Sequence, residues 1–236
     1  MNILKTDAKV CFFLLICCTL QFRYKRKATS FLMEYTDTYK TIGSSSEGLY
    51  KEKGSKFIAY AFPVSNEQHI REIIASLKKE HHSARHHCFA WRLGTEDQTF
   101  RLNDDGEPSG SAGRPILGQI QQRELTDILI VVVRYFGGIL LGTSGLANAY
   151  KLAASDALTK VEIVEKIVRT AVVINFDYRV MNDVMMVLKE FQLDISESHF
   201  DLKCQIKMMV RKQLLTVVME KLGKIGQLET SIITHE

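Results

Sequence analysis

The sequence predicts an α+β fold in two domains, a mixed first domain followed by a ferredoxin-like βαββαβ domain. Three observations carry that prediction. The chain has 236 residues, 46% of them hydrophobic, enough for more than one core. Apolar spacing switches between period two and helical period along residues 33–169. From residue 170 to 236 the pattern runs strand, helix, strand, strand, helix, strand.

Residues 1–32 stand apart from both domains. They hold six basic residues (Lys5, Lys9, Arg23, Lys25, Arg26, Lys27) against Asp7, which leaves 25 basic and 26 acidic residues for the remainder. The formal charge of +4 therefore comes from the leader, and the body has no bulk field for nucleic acid, so any such contact needs a local basic patch. Val10 to Leu20 is an apolar run too short to span a bilayer. Two readings of the leader are weighed: an export or tethering signal, and a start site placed too early, with Met33 as the true start. The absence of a small-x-small cleavage site favours the second. Cys11, Cys17 and Cys18 fall in the leader, which leaves Cys88 and Cys204. Two distant thiols make neither a disulfide framework nor a CxxC metal pair, and a reducing cytoplasmic compartment is expected, with no integral membrane association.

Within the first domain, Gly48 to Lys53 and Ser55 to Val64, split by Gly54, read as a β-hairpin. Ser65 and Gln68 read as a capping box that opens a helix over 65–80, whose apolar face is Ile70, Ile73, Ile74 and Leu77. From Arg85 to Leu93 the alternation is that of a strand, with His87, Phe89 and Trp91 on one face and His86, Cys88 and Ala90 on the other. A strand near Thr99 to Leu102 leads into a loop, 103–115, whose three glycines and two prolines exclude regular structure. Pro115 suits the first turn of a short helix to about Glu124, and Ile128 to Val133 reads as a central strand buried on both faces. Thr143 or Ser144 is expected to cap an alanine-rich helix that reaches about Leu158 and packs closely on a sheet; residues 159–169 read as the last element and linker.

In the second domain, strands are expected over Ala171–Phe176, Gln192–Ser198, Leu202–Val210 and Gln227–Thr234, with helices over Arg179–Glu190 and Arg211–Leu222. Met181, Met185, Met186, Met208, Met209 and Met219 read as core fillers.

Three constellations could carry chemistry. The segment His81 to Cys88 holds four histidines and a thiol, but alternation leaves only His86 and Cys88 on one face, which favours packing over zinc. Asp104, Asp105 and Glu107 crowd three carboxylates into a loop fixed by Pro108, Gly113 and Pro115, either a site for a hard cation such as magnesium or an acidic turn. Arg134, Tyr135, Gly137 and Gly138, followed by Gly142, Thr143, Ser144 and Gly145 at a helix start, suit an anion or nucleic-acid site. Tyr135 and Phe136 could stack on a base, and close glycine packing explains the same residues equally well.

His86-x-Cys88-x-Ala90, Asp105-Gly106-Glu107-Pro108, Ala112-Gly113-x-Pro115, Arg134-Tyr135-x-Gly137-Gly138-x-x-x-Gly142 and Ala149-Tyr150 resemble the signature of the YigZ/IMPACT family over about residues 47–236. The resemblance implies a first domain with the fold shared by a ribosomal-protein domain, an elongation factor G domain and the galactose and homoserine kinases. It implies a second domain like the C-terminal domain of elongation factor G. Eukaryotic IMPACT proteins regulate translation with an additional N-terminal module, for which residues 1–32 are expected to be too short. Two functions are carried forward. The first is a non-enzymatic translation-associated factor, without cofactor, that binds RNA or the ribosome, with a protein partner as a further option. The alternative is a magnesium-dependent enzyme acting on a phosphorylated or nucleotide substrate.

Overall fold

A five-stranded antiparallel sheet in the order β2-β3-β6-β4-β5 forms the centre of the first domain. Its strands are β2 (Ser46–Glu52), β3 (Ser55–Pro63), β4 (His86–Leu93), β5 (Thr99–Asn103) and β6 (Ile128–Tyr135). The computed structural model describes residues 37–95 and 98–233, so the leader, the Met33 start and Thr234 lie outside the described residues. No helix among those described is long and apolar enough to cross a membrane.

The β2–β3 hairpin turns at Lys53 and Gly54, both at positive φ (45° and 79°), the conformation of a two-residue type I′ turn. β6 runs between β3 and β4 and is buried on both faces. Its even residues Ile128, Ile130 and Val132 join Phe57, Cys88 and Ala90 on one side; Leu129, Val131 and Val133 join Phe89 and Trp91 on the other.

The second side is covered by α1 (Glu67–Glu80) through Ile70 and Leu77. Asn66 caps that helix, its side chain accepting from the His69 amide at 2.8 Å; the Ser65–Gln68 box expected from sequence does not form. The first side is covered by α2 (Gly113–Gln122) and α3 (Gly142–Thr159). α3 lies so close to β2 that a Cβ on Gly48 would come within 2.4 Å of the Ala157 nitrogen. The small face of α3, with Ala153 and Ala157 buried, makes that approach feasible. α3 starts at Gly142 after Leu141, with no side-chain cap, so neither Thr143 nor Ser144 has the capping role expected of it.

A two-stranded ribbon of β1 (Thr38–Ile42) and β7 (Ile163–Ile167) stands outside the main sheet, in the register Thr38 to Ile167. The second sheet has the order β11-β8-β10-β9, from β8 (Arg169–Asp177), β9 (Asp194–His199), β10 (Lys203–Arg211) and β11 (Leu228–Ile233). With α4 (Met181–Glu190, after a short 3-10 turn) and α5 (Lys212–Gly223), it completes the ferredoxin-like βαββαβ order. The methionines divide: Met208 is fully buried and Met181, Met185 and Met219 pack against the core, but Met186 is 66% exposed and Met209 lies on the opposite face of β10. Asp37, just before β1, accepts from Arg211 at the end of β10, and this pairing ties the ribbon to the second sheet.

Candidate functional site

The register places Arg134 between Phe57 on β3 and His86 on β4, all three on the α2–α3 side of the sheet. There its Nη1 donates to Glu107 Oε1 at 2.5 Å, and both side chains are almost wholly buried. The Tyr150 hydroxyl on α3 donates to the same oxygen at 2.9 Å. Cys88 Sγ lies 3.3 Å from that hydroxyl and 3.0 Å from the Asp104 carbonyl oxygen. Burial pushes the Cys88 thiol up to about 12 and raises Tyr150 further, helped by its neighbours Cys88 and Glu107. Both stay protonated and act as donors. Arg134 is thus not the solvent-facing phosphate contact that its place after an apolar strand suggests, because Glu107 already balances its charge.

The three loop carboxylates go to three different tasks. Asp104 accepts from the backbone of Gly110 (2.8 Å), Ala112 (3.0 Å) and Gly113 (2.8 Å), and so caps the start of α2 from a distance. Burial opposes its ionisation, but these donors, with Arg114 nearby, outweigh burial and hold the carboxyl below its ordinary range. Asp105 accepts from the His87 amide at 2.7 Å and pairs with Lys78 at 3.4 Å. Glu107 serves Arg134 and Tyr150. They do not converge, and among the described residues no group of three or more His, Cys, Asp or Glu is arranged to hold a metal. His86 and Cys88 both grip the loop, His86 through Nδ1 at 2.9 Å from the Asp105 carbonyl oxygen.

The glycine segment also divides. A Cβ on Gly137 would fall 1.9 Å from the carbonyl carbon of Gly54, so the hairpin turn leaves it no side chain. Gly138 and Gly142 are exposed at positive φ (89° and 70°) with open space around them. Tyr135 turns to the α1 side, where its hydroxyl lies 2.9 Å from His81 Nδ1. Phe136 returns to the Arg134 side and is 43% exposed.

A cleft of about 360 Å³ opens at this point, with Arg134, Glu107 and His86 among its lining, Phe136 and Leu140 on one wall, and Gly142 and Thr143 at the start of α3. Further along α3 a shallow depression of about 400 Å³ lies between Ala147, Asn148 and Lys151 on the helix and Gly110, Arg114 and Pro115 on the loop. Their helix residues follow one another on α3 and their loop residues run from Glu107 to Pro115, and the two together are termed the groove. Arg85 lines the cleft, Arg114 and Lys151 line the depression, and no ion pair joins any of them among the described residues.

Of the residues expected in an anion site, the structure brings Arg134, Gly142 and Thr143 to the cleft, leaves Ser144 exposed beside it, and turns Tyr135 away. No motif in the sequence singles out Arg85, Arg114 or Lys151. Ala147, Asn148 and Lys151 at helical spacing were the available signal for the exposed face of α3.

A model of the Impact N-terminal domain matches residues 53–158. IMPACT family member YvyE of Bacillus subtilis is 35% identical over 176 residues, covering 75% of this chain and 81% of that protein. IMPACT family member YigZ of Escherichia coli is 35% identical over 150 residues, covering 63% of this chain and 74% of that protein. A solved crystal structure of a hypothetical protein aligns over 84% of this chain and 98% of its own, at TM-score 0.63 and 28% identity.

Proposed function

The chain belongs to the IMPACT family, and from that premise we propose that it is a non-enzymatic, cytoplasmic, translation-associated factor that binds RNA or the ribosome along the groove beside α3. One observation carries the reading: Arg85, Arg114 and Lys151 flank the groove without ion-pair partners among the described residues, next to the uncapped, exposed start of α3. Arg85 and Lys151, and Arg114, whose charge also acts on Asp104 without a contact ion pair, join the partial positive charge of a helix N-terminus in attracting phosphates. The near-neutral body supplies no bulk attraction, so binding there relies on a local patch of this kind.

The magnesium-dependent enzyme draws less support, because Asp104 spends both oxygens on backbone amides, Glu107 Oε1 is taken by Arg134 and Tyr150, and the three loop carboxylates do not converge. Binding of short RNAs and of purified ribosomes to the wild type and to Arg114→Glu/Lys151→Glu tests the proposal. The double charge reversal weakens binding while circular dichroism and melting temperature stay unchanged. Equal binding by the two proteins refutes the groove.

A further inference from the structure

We propose that the cleft at Arg134 holds one unstacked nucleotide of a single RNA strand, with its base inside and its phosphate at the start of α3. The inference rests on the RNA reading above and names what the site selects. Its first support is the polar floor. Arg134 is 5% exposed, commits only Nη1, and leaves its enclosed Nε without a partner. Both hydrogen bonds to Glu107 land on Oε1, which leaves Oε2 outside them.

A buried guanidinium and carboxylate together are nearly neutral, so the floor gives little attraction to a phosphate. Arg134 and Glu107 both line the cleft, and with Nη2 and Oε2 outside the hydrogen bonds between them they pair a donor with an acceptor, matching the edge of a nucleobase, which offers a carbonyl or ring nitrogen next to an N–H. The wall supplies a stacking surface, because Phe136 is 43% exposed at the rim. The mouth supplies the anion contact, where Gly142, Thr143 and Ser144 open an 18-residue helix with no side-chain cap and Arg85 stands nearby. A volume of about 360 Å³ suits one nucleotide.

The test compares one RNA strand, the same strand annealed as a duplex, and free nucleoside monophosphates, each titrated against wild type and Phe136→Ala. Phe136 is exposed, so the variant keeps the fold, and a melting curve checks this. The single strand binds at least about tenfold more tightly than the duplex, and Phe136→Ala removes on the order of tenfold of that affinity while duplex binding is unchanged. Equal affinity for single strand and duplex, unaffected by Phe136→Ala, overturns the inference and leaves groove binding to RNA intact. Binding of nucleoside monophosphates that is sensitive to Phe136→Ala, with no RNA bound in either form, overturns both the RNA source and the proposed function, and assigns the cleft to a free nucleotide.

Discussion

Arg134 and Glu107 stand 2.5 Å apart in the interior, one at the end of the central strand and the other in the loop before α2. The pair ties the loop before α2 to the sheet, and Glu107 also receives Tyr150 from α3. Removing one partner strands the other as a buried charge. Glu107→Ala is expected to destabilise the protein by about 3 to 5 kcal/mol. The double change Glu107→Leu/Arg134→Met costs clearly less, because no charge is left unpaired. Chemical denaturation of the three proteins checks this; a single variant as stable as wild type contradicts it.

Asp104 replaces the missing side-chain cap of α2, accepting from three backbone amides. Asp104→Ala leaves those donors unpaired and costs at least about 2 kcal/mol. The carboxyl is held below its ordinary value, so its contribution is complete above about pH 4 and lost as pH falls through the folded-state pKa. Asp104→Asn flattens the loss of stability on the acid side. Unfolding curves between about pH 5 and 2 show a shallower slope for the variant, and parallel slopes contradict the assignment.

Two neighbouring glycines differ in what they tolerate. Gly137→Ala places a Cβ 1.9 Å from the backbone of the hairpin turn, which must shift, and the expected loss is about 3 kcal/mol or more. Gly138→Ala meets open space and suffers only from its positive φ, on the order of 1 kcal/mol. Melting temperatures of the two variants give the order; a larger fall for Gly138→Ala contradicts the packing.

The alternation from Arg85 to Leu93 and the order of the second domain were legible because each is a local pattern that tertiary packing reinforces. β4 keeps Phe89 and Trp91 on one side and Cys88 and Ala90 on the other. β1 was not legible, since Thr38 to Ile42 find their partners at Ile163 to Ile167, far along the chain. The role of Arg134 was hidden for a similar reason. A strand ending in arginine looks exposed until a loop 27 residues away supplies a carboxylate. Met186 looked like core filler because side-chain type alone does not say which face of a helix it occupies.

Arg85, Arg114 and Lys151 give the RNA reading a quantitative signature in salt. Three cations that neutralise single-strand phosphates predict that log affinity falls with log salt at a slope of about −2, and each cation replaced by alanine removes about 0.7 of it. Affinity measured across a salt series for wild type and the triple alanine variant gives both slopes. The groove account predicts a steep wild-type slope that nearly vanishes in the triple variant, with the fold intact. An identical slope in the two proteins, or no RNA bound by wild type even at low salt, contradicts it.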